Sequence, residues 1–247
     1  MSTIIYLVRH GKTEWNSASP EKVQTHSNGR GNMLTHEGYD QARRGAEILK
    51  DEKIDIAFCS PLLRTHETYA FIAKDHPGTA KRTDDRLTEM SRSFLDGMAK
   101  SEWGEQFPET TPILEARKAD MYGCTMPEGD YSRCILRAKQ IAAENGEPNK
   151  KFPPWENYSD VTRRVAPFAE KVTGLDKHVM ISGHQGLNRS LLGILLAETD
   201  YIAGTQEVPY LVIPNRGVYR VEIRPEGTRL FHNVGQGWNE GLIRQDL

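Results

Sequence analysis

Arg9-His10-Gly11-Lys12-Thr13 stands immediately after an apolar, β-branched run, Ile4-Ile5-Tyr6-Leu7-Val8. Gly183-His184-Gln185-Gly186 follows another such run, Val179-Met180-Ile181-Ser182, and Ser60, with Arg64 one helical turn on, follows residues 54–59. A neutral imidazole nitrogen is a competent nucleophile. Guanidinium groups offer forked N–H donors matched to phosphate oxygens. A helix opening at Gly186 adds backbone N–H groups and a favourable dipole. Glycines at 11 and 186 let the backbone come close to a ligand. Taken singly, Arg9-His10 is an ordinary loop pair, Arg64 a surface helix residue and His184 a histidine at a sheet edge. At three strand ends of one sheet, they describe an anion pocket suited to a phosphoryl group.

The elements that must hold these residues follow from hydropathy. Residues 4–8 are continuously apolar, as a central strand covered on both faces requires. Residues 16–32, rich in Ser, Asn and Gly, read as a loop. Thr35 is the expected N-cap of a helix over 36–50, with Tyr39, Ala42, Ala46 and Leu49 on one stripe. Ser60-Pro61 is expected to cap and open a helix over 62–74 that stops near Pro77-Gly78. Residues 90–155 lack the strand–helix alternation and read as an insertion or cap, with its clearest helix at 133–144 and an exit at Pro153-Pro154. The core pattern then resumes with a helix over 160–172, which Pro167 should kink or restart. A strand at 179–182, an apolar helix over 186–198 and strands at 218–223 and 229–232 complete it. The alternation predicts an α/β fold: a three-layer sandwich whose mostly parallel central sheet is flanked by helices. Residues 1–247 are expected to form one domain with the cap inserted at about 90–155. In such folds ligands sit at the carboxyl ends of the strands.

Lys and Arg number 32 against 34 Asp and Glu, a net charge of −2, so no global field draws nucleic acid or an acidic membrane. Any anion must be held by a local pocket. The three cysteines, Cys59, Cys124 and Cys134, are odd in number and lack zinc-ligand spacing. Cys59 ends an apolar run and is expected to be a buried thiol, while the other two lie in a polar stretch. Reduced cytoplasm is the natural compartment. No signal-peptide architecture backs residues 4–8, and no stretch has the length of a membrane-spanning helix. The expectation is a cytoplasmic protein whose partner is a small phosphorylated substrate, with neither nucleic acid nor membrane; oligomeric state is left open.

Arg9-His10-Gly11 with Thr13, Trp15 and Asn16 resembles the signature of the histidine phosphatase superfamily, the phosphoglycerate-mutase-like proteins. Matching motifs continue in order. They are Leu34-Thr35-His36-Glu37-Gly38 with Gln41-Ala42, then Ser60-Pro61-Leu62-Leu63-Arg64-Thr65 with Thr68. Leu87-Thr88-Glu89 with Asp96-Gly97, Ser182-Gly183-His184 with Gly186, and Pro214-Asn215 complete the set. The resemblance implies phosphoryl transfer to His10, with Arg9, Arg64 and His184 stabilising the charge and Glu89 exchanging the leaving-group proton. Thr13, Asn16 and the backbone N–H of Gln185 are implied further phosphate ligands. Neither metal nor cofactor is implied, since arginines and an imidazolium supply the charge.

The chain departs from the family pattern at three places. Lys12 replaces an acid or amide, either as a solvent-facing lysine or as a rim charge selecting a second anionic group. Gln185 stands where glycine is common, and Trp155-Glu156-Asn157-Tyr158-Ser159 matches a glycine-rich segment weakly. A mutase would be expected to carry an arginine-tyrosine-glycine type run after Glu89, whereas this chain reads Met90-Ser91-Arg92-Ser93-Phe94-Leu95. The expected activity is therefore hydrolysis of a phosphomonoester of a small metabolite, with a mutase as the alternative. A non-enzymatic phosphate binder is the third possibility. Arg92, Trp103, Arg117, Lys118, Tyr122, Arg133 and Arg137 are the cap residues that could face the substrate.

Overall fold

Thr3–Arg9 (β1) is buried along nearly its whole length, as its unbroken apolar sequence requires. The computed structural model describes residues 2–28, 32–116, 125–197 and 211–243. After β1 come a single helical turn, Glu14–Ser17 (α1), and the helix His36–Leu49 (α2). Ile56–Cys59 (β2), Leu63–Ile72 (α3) and Ala80–Thr83 (β3) follow. The inserted stretch carries Trp103–Gln106 (α4), Thr111–Ala116 (α5) and Glu128–Glu144 (α6). Tyr158–Thr173 (α7), His178–Gly183 (β4) and Gln185–Leu195 (α8) resume the core. Val218–Arg224 (β5), Gly227–Asn233 (β6) and Asn239–Glu240 (β7) end it.

These strands form one sheet in the order β3-β2-β4-β1-β5-β6-β7. It is mixed rather than mostly parallel: β1 to β4 pair in parallel, whereas β5, β6 and β7 add antiparallel to the β1 edge. The turn at 225–227 makes β5 and β6 a hairpin, and a hairpin can only be antiparallel. On one face Ile5, Leu7, Phe58 and Ile181 pack beneath α7 and α8; on the other, Tyr6, Val8, Ala57 and Met180 pack beneath α2 and α3. The α/β layering is therefore as expected.

Local chemistry explains where elements begin. The Thr35 side chain accepts from Gly38 N, capping α2 as predicted. Tyr39 sits at the edge of the apolar stripe, its ring 5.8 Å from that of Phe71 and its hydroxyl bonded to Glu67. Ser60 does not cap α3. Leu62 occupies the N-cap position with no side-chain bond, and Asn28 Oδ1 accepts from Leu63 N at 2.8 Å instead. α7 begins before Asp160, because Asn157 and Asp160 form a reciprocal capping box. Pro167 does not restart it: the residue lies inside the helix, on its exposed face. β3 was not foreseen because Ala80-Lys81-Arg82-Thr83 is exposed throughout and joins the sheet by backbone pairing with β2. α6 starts before residue 133, directly after Pro127, with Glu128 and Asp130 complementing its N-terminal dipole. Residues of the inserted stretch build their own apolar cluster from Phe94, Leu95, Phe107, Ile113, Cys134 and Ala138, joined by Val23. Among the described residues no helix is long and apolar enough to cross a membrane.

Candidate active site

The register of the parallel strands brings the predicted residues together. Arg9 pairs with Gly183 and Cys59 with Ser182, so His10, Ser60 and His184 leave three neighbouring strands at one level. The His10 and His184 rings meet edge to face, 5.1 Å between centroids. His10 is 3% exposed, and its Nδ1 donates to Gly11 O at 2.8 Å. A carbonyl can only accept, so the proton sits on Nδ1 and Nε2 keeps its lone pair. The backbone is pinned on each side: Asn215 Nδ2 donates to His10 O at 2.7 Å, and Gly11 N donates to Thr68 Oγ1 at 3.1 Å. Gly11 owes its identity to packing rather than to a ligand, since a Cβ there would lie 2.3 Å from Gly38 O.

Burial, then the Arg64 and Arg9 charges, hold the His10 pKa well below its ordinary value, so the ring is neutral at neutral pH. His184 is fully buried and pushed down in the same way, by burial and then by Arg64, His10 and Arg9. The expected imidazolium is therefore absent at neutral pH, and the positive charge comes from the arginines. Burial lowers both Arg9 and Arg64 to about 10, which leaves them cationic. Arg9 Nη1 donates to Ile213 O at 3.1 Å; Arg64 donates to Thr25 O at 2.7 Å and Ser27 O at 3.3 Å. His184 Nε2 bonds Ser60 Oγ at 2.8 Å. Arg9 Nε, Arg64 Nε and His184 Nδ1 are all buried without a partner among the described residues. Buried unpaired polar groups are costly, and three in one place suit a site that receives an anion.

Glu89 stands at the opening of α8. Its carboxylate accepts from Gly186 N at 3.2 Å, Leu187 N at 3.1 Å and Met90 N at 2.8 Å. At Gly186 a Cβ would come 2.7 Å from Glu89 Oε1, so a larger residue would displace the carboxylate. The glycine's small size thus admits the carboxylate. Arg164 of α7 steadies the approach to Glu89, donating to Arg86 O at 2.6 Å and Thr88 O at 3.1 Å.

A cavity of about 200 Å³ is lined by Arg9, His10, Asn16, Glu89 and Gln185 among the predicted residues, and by Arg92 and Trp103 of the inserted stretch. Arg64 and His184 are buried and do not line it. Thr13 stands behind Asn16, its hydroxyl donating to Asn16 Oδ1 at 3.1 Å and accepting from Gln24 Nε2 at 2.7 Å. Lys12 is absent from the lining and pairs with Glu37 at 2.9 Å. Arg133 pairs with Asp130 and Arg137 with Glu109, both away from the cavity. Arg117, Lys118, Tyr122 and Cys124 lie outside the described residues.

Lys22, Lys100 and Arg189 also line the cavity and were not foreseen. Arg189 lies one turn into α8, as Arg64 lies at the start of α3, so the same rule could have found it. Lys22 and Lys100 sit in stretches with no periodic pattern, brought side by side by the Lys22–Ala99 bridge. Lys100 pairs with Glu21 at 2.7 Å, whereas Lys22 has no ion-pair partner among the described residues. Among those residues no group of three His, Cys, Asp or Glu side chains could hold a metal ion.

Known proteins resemble this chain in both sequence and fold. It is 28% identical over 196 residues to a 2,3-bisphosphoglycerate-dependent phosphoglycerate mutase of Treponema denticola, covering 76% of each chain. The α-ribazole phosphatase of Shigella flexneri superposes with a TM-score of 0.65 at 18% identity, over 91% of this chain and 93% of its own. A mycobacterial glucosyl-3-phosphoglycerate phosphatase superposes with a TM-score of 0.63 at 19% identity, over 99% of each. The model of the histidine phosphatase superfamily, branch 1, matches residues 5–144, more than half of the sequence, and the chain belongs to that superfamily.

Proposed function

We propose that this chain is a metal-independent phosphatase that hydrolyses a phosphomonoester of a small metabolite through a phosphohistidine on His10. The observation that carries this reading is a neutral His10, with Nε2 left unprotonated, sharing one cation-lined cavity with Glu89. His10 Nε2 attacks phosphorus and the bond from phosphorus to the ester oxygen breaks. Glu89 gives the departing oxygen its proton, then takes one from the water that attacks the phosphohistidine. Inorganic phosphate leaves and His10 regains its lone pair. Arg9, Arg64 and His184 stabilise the charge of the transferring group, with Asn16 and the Gln185 N–H as further ligands.

Among the described residues Arg9, Lys22, Arg92, Lys100 and Arg189 face the cavity against Glu21 and Glu89, which supports a substrate with an anionic group beyond the phosphoryl. Lys22, rather than Lys12, is the cation that would meet it. Lys22→Gln should raise KM about tenfold for phosphorylated carboxylates. For p-nitrophenyl phosphate, which lacks the second charge, KM should stay within about twofold. An equal rise on both substrates contradicts the role.

A mutase is the second reading, favoured by the phosphoglycerate mutase that is 28% identical. The run after Glu89 argues against it. Phosphate release from a panel of phosphorylated metabolites, set beside 3- to 2-phosphoglycerate interconversion, separates the two. Release without interconversion is expected; interconversion outpacing release favours the mutase.

A further inference from the structure

Arg64 is 1% exposed, and what fixes its head group is a short stretch of loop rather than another charged side chain. Its Nη atoms donate to the carbonyls of Thr25 and Ser27. The same stretch is bolted to the first turn of α3, where Asn28 Oδ1 accepts from Leu63 N at 2.8 Å and Asn28 Nδ2 donates to Pro61 O at 3.3 Å. On its far side one carboxylate accepts from three more of its donors. Asp96 Oδ1 accepts from Thr25 N at 2.5 Å and Thr25 Oγ1 at 2.9 Å; Asp96 Oδ2 accepts from Ser27 N at 3.0 Å. His26 Nε2 lies 3.8 Å from the same carboxylate, whose side chain is 3% exposed. Backbone bonds from Val23 N to Met98 O and from Gly97 N to Val23 O, each 2.8 Å, lash the flanks together.

We propose that Asp96 is a positioning residue for Arg64, acting through residues 25–28. The loop carbonyls can hold the guanidinium only if the loop itself is held, and Thr25 N, Ser27 N and the Thr25 hydroxyl are held by Asp96. With both Nη atoms committed, the unpaired Nε is the atom whose location the loop decides. Thr25 also lines the cavity, so the clamp joins the wall of the site to the arginine beneath it. Asp96 lies seven residues beyond Glu89, so one segment sets both the proton-exchanging group and the phosphate-binding arginine.

This proposal rests on the reading that Arg64 binds the phosphoryl group, and the test keeps the two apart. Binding of inorganic phosphate is measured calorimetrically for the wild type, Asp96→Asn, Arg64→Ala and the double variant, with the melting temperature of each. Asparagine keeps one acceptor and turns a donor toward Ser27 N. Phosphate affinity should fall about tenfold in the wild-type background and less than about twofold when Arg64 is already gone, because coupled residues are not additive. A merely structural role would lower affinity equally in both backgrounds, and that result, or unchanged affinity in Asp96→Asn, overturns the assignment. If Asp96→Asn does not fold, Thr25→Val, which removes one of the three bonds, is read in the same way. Wild type and Arg64→Ala binding phosphate equally removes the underlying role of Arg64, and the Asp96 assignment with it.

Discussion

His10 and His184 share one floor, and their protonation is linked to stability. Both have pKa values below the ordinary 6.5, so the unfolded chain binds more protons than the folded one in the interval beneath it. Their contribution is complete above about pH 6.5 and is lost as pH falls toward the folded values. The melting temperature should therefore hold between pH 8 and 7 and drop by pH 5, and His10→Asn should flatten that drop. An unchanged slope in the variant contradicts a neutral buried His10. Glu89 can be tested through the leaving group. Glu89→Gln should cost about 100-fold or more in kcat on alkyl phosphates, whose oxygen must be protonated as it leaves. On p-nitrophenyl phosphate, whose leaving group departs as a stable anion, the loss should be far smaller. Equal losses on both would mean that Glu89 is not the proton donor.

At the scale of elements, strand ends held in register and tight glycine contacts keep the site together. Gly11 and Gly38 touch across the junction of β1 and α2, where a Cβ on Gly38 would lie 2.1 Å from Lys12 O. Gly11→Ala should destabilise the fold by about 1–3 kcal/mol through overpacking. Gly45→Ala, inside α2 with nothing within 4 Å of the added carbon, should stabilise it by about 0.5–1 kcal/mol. Urea denaturation of the two variants gives both signs, and two losses of equal size would contradict the contact. Hydropathy was enough to place β1, β2, β4 and their following residues, because strands covered on both faces must be apolar. It could not place β3, an exposed strand paired to β2 through its backbone, nor the start of α3, whose first N–H is capped by Asn28 from a distant loop.

For the molecule as a whole, the chemistry at the strand ends was legible because it depends on residues adjacent to strong apolar runs. His10, Glu89, Arg9, Asn16 and Gln185 share a cavity with Arg92, which the sequence had offered, and with Lys22 and Lys100, which it had not. Lys22 and Lys100 reach it from a loop and the inserted stretch, and only tertiary packing brings them beside Arg189, which the strand-end rule could have found. The polar look of the inserted stretch likewise concealed Cys134, buried in that stretch's own cluster. Burial raises the Cys59 thiol to about 11 and the Cys134 thiol to about 12. In a Cys124→Ser variant both should resist a maleimide at neutral pH until the fold is unfolded, and rapid labelling of either in the native protein would contradict the packing around it.

The role of His10 is tested most directly by trapping the phosphorylated enzyme. A substrate labelled with radioactive phosphate is mixed with the wild type, quenched in alkali, where phosphohistidine survives, and the label is mapped by peptide. Label on His10 in the wild type, absent from His10→Asn together with turnover, is the predicted result. Turnover that persists in His10→Asn, or label on any other residue, would contradict it.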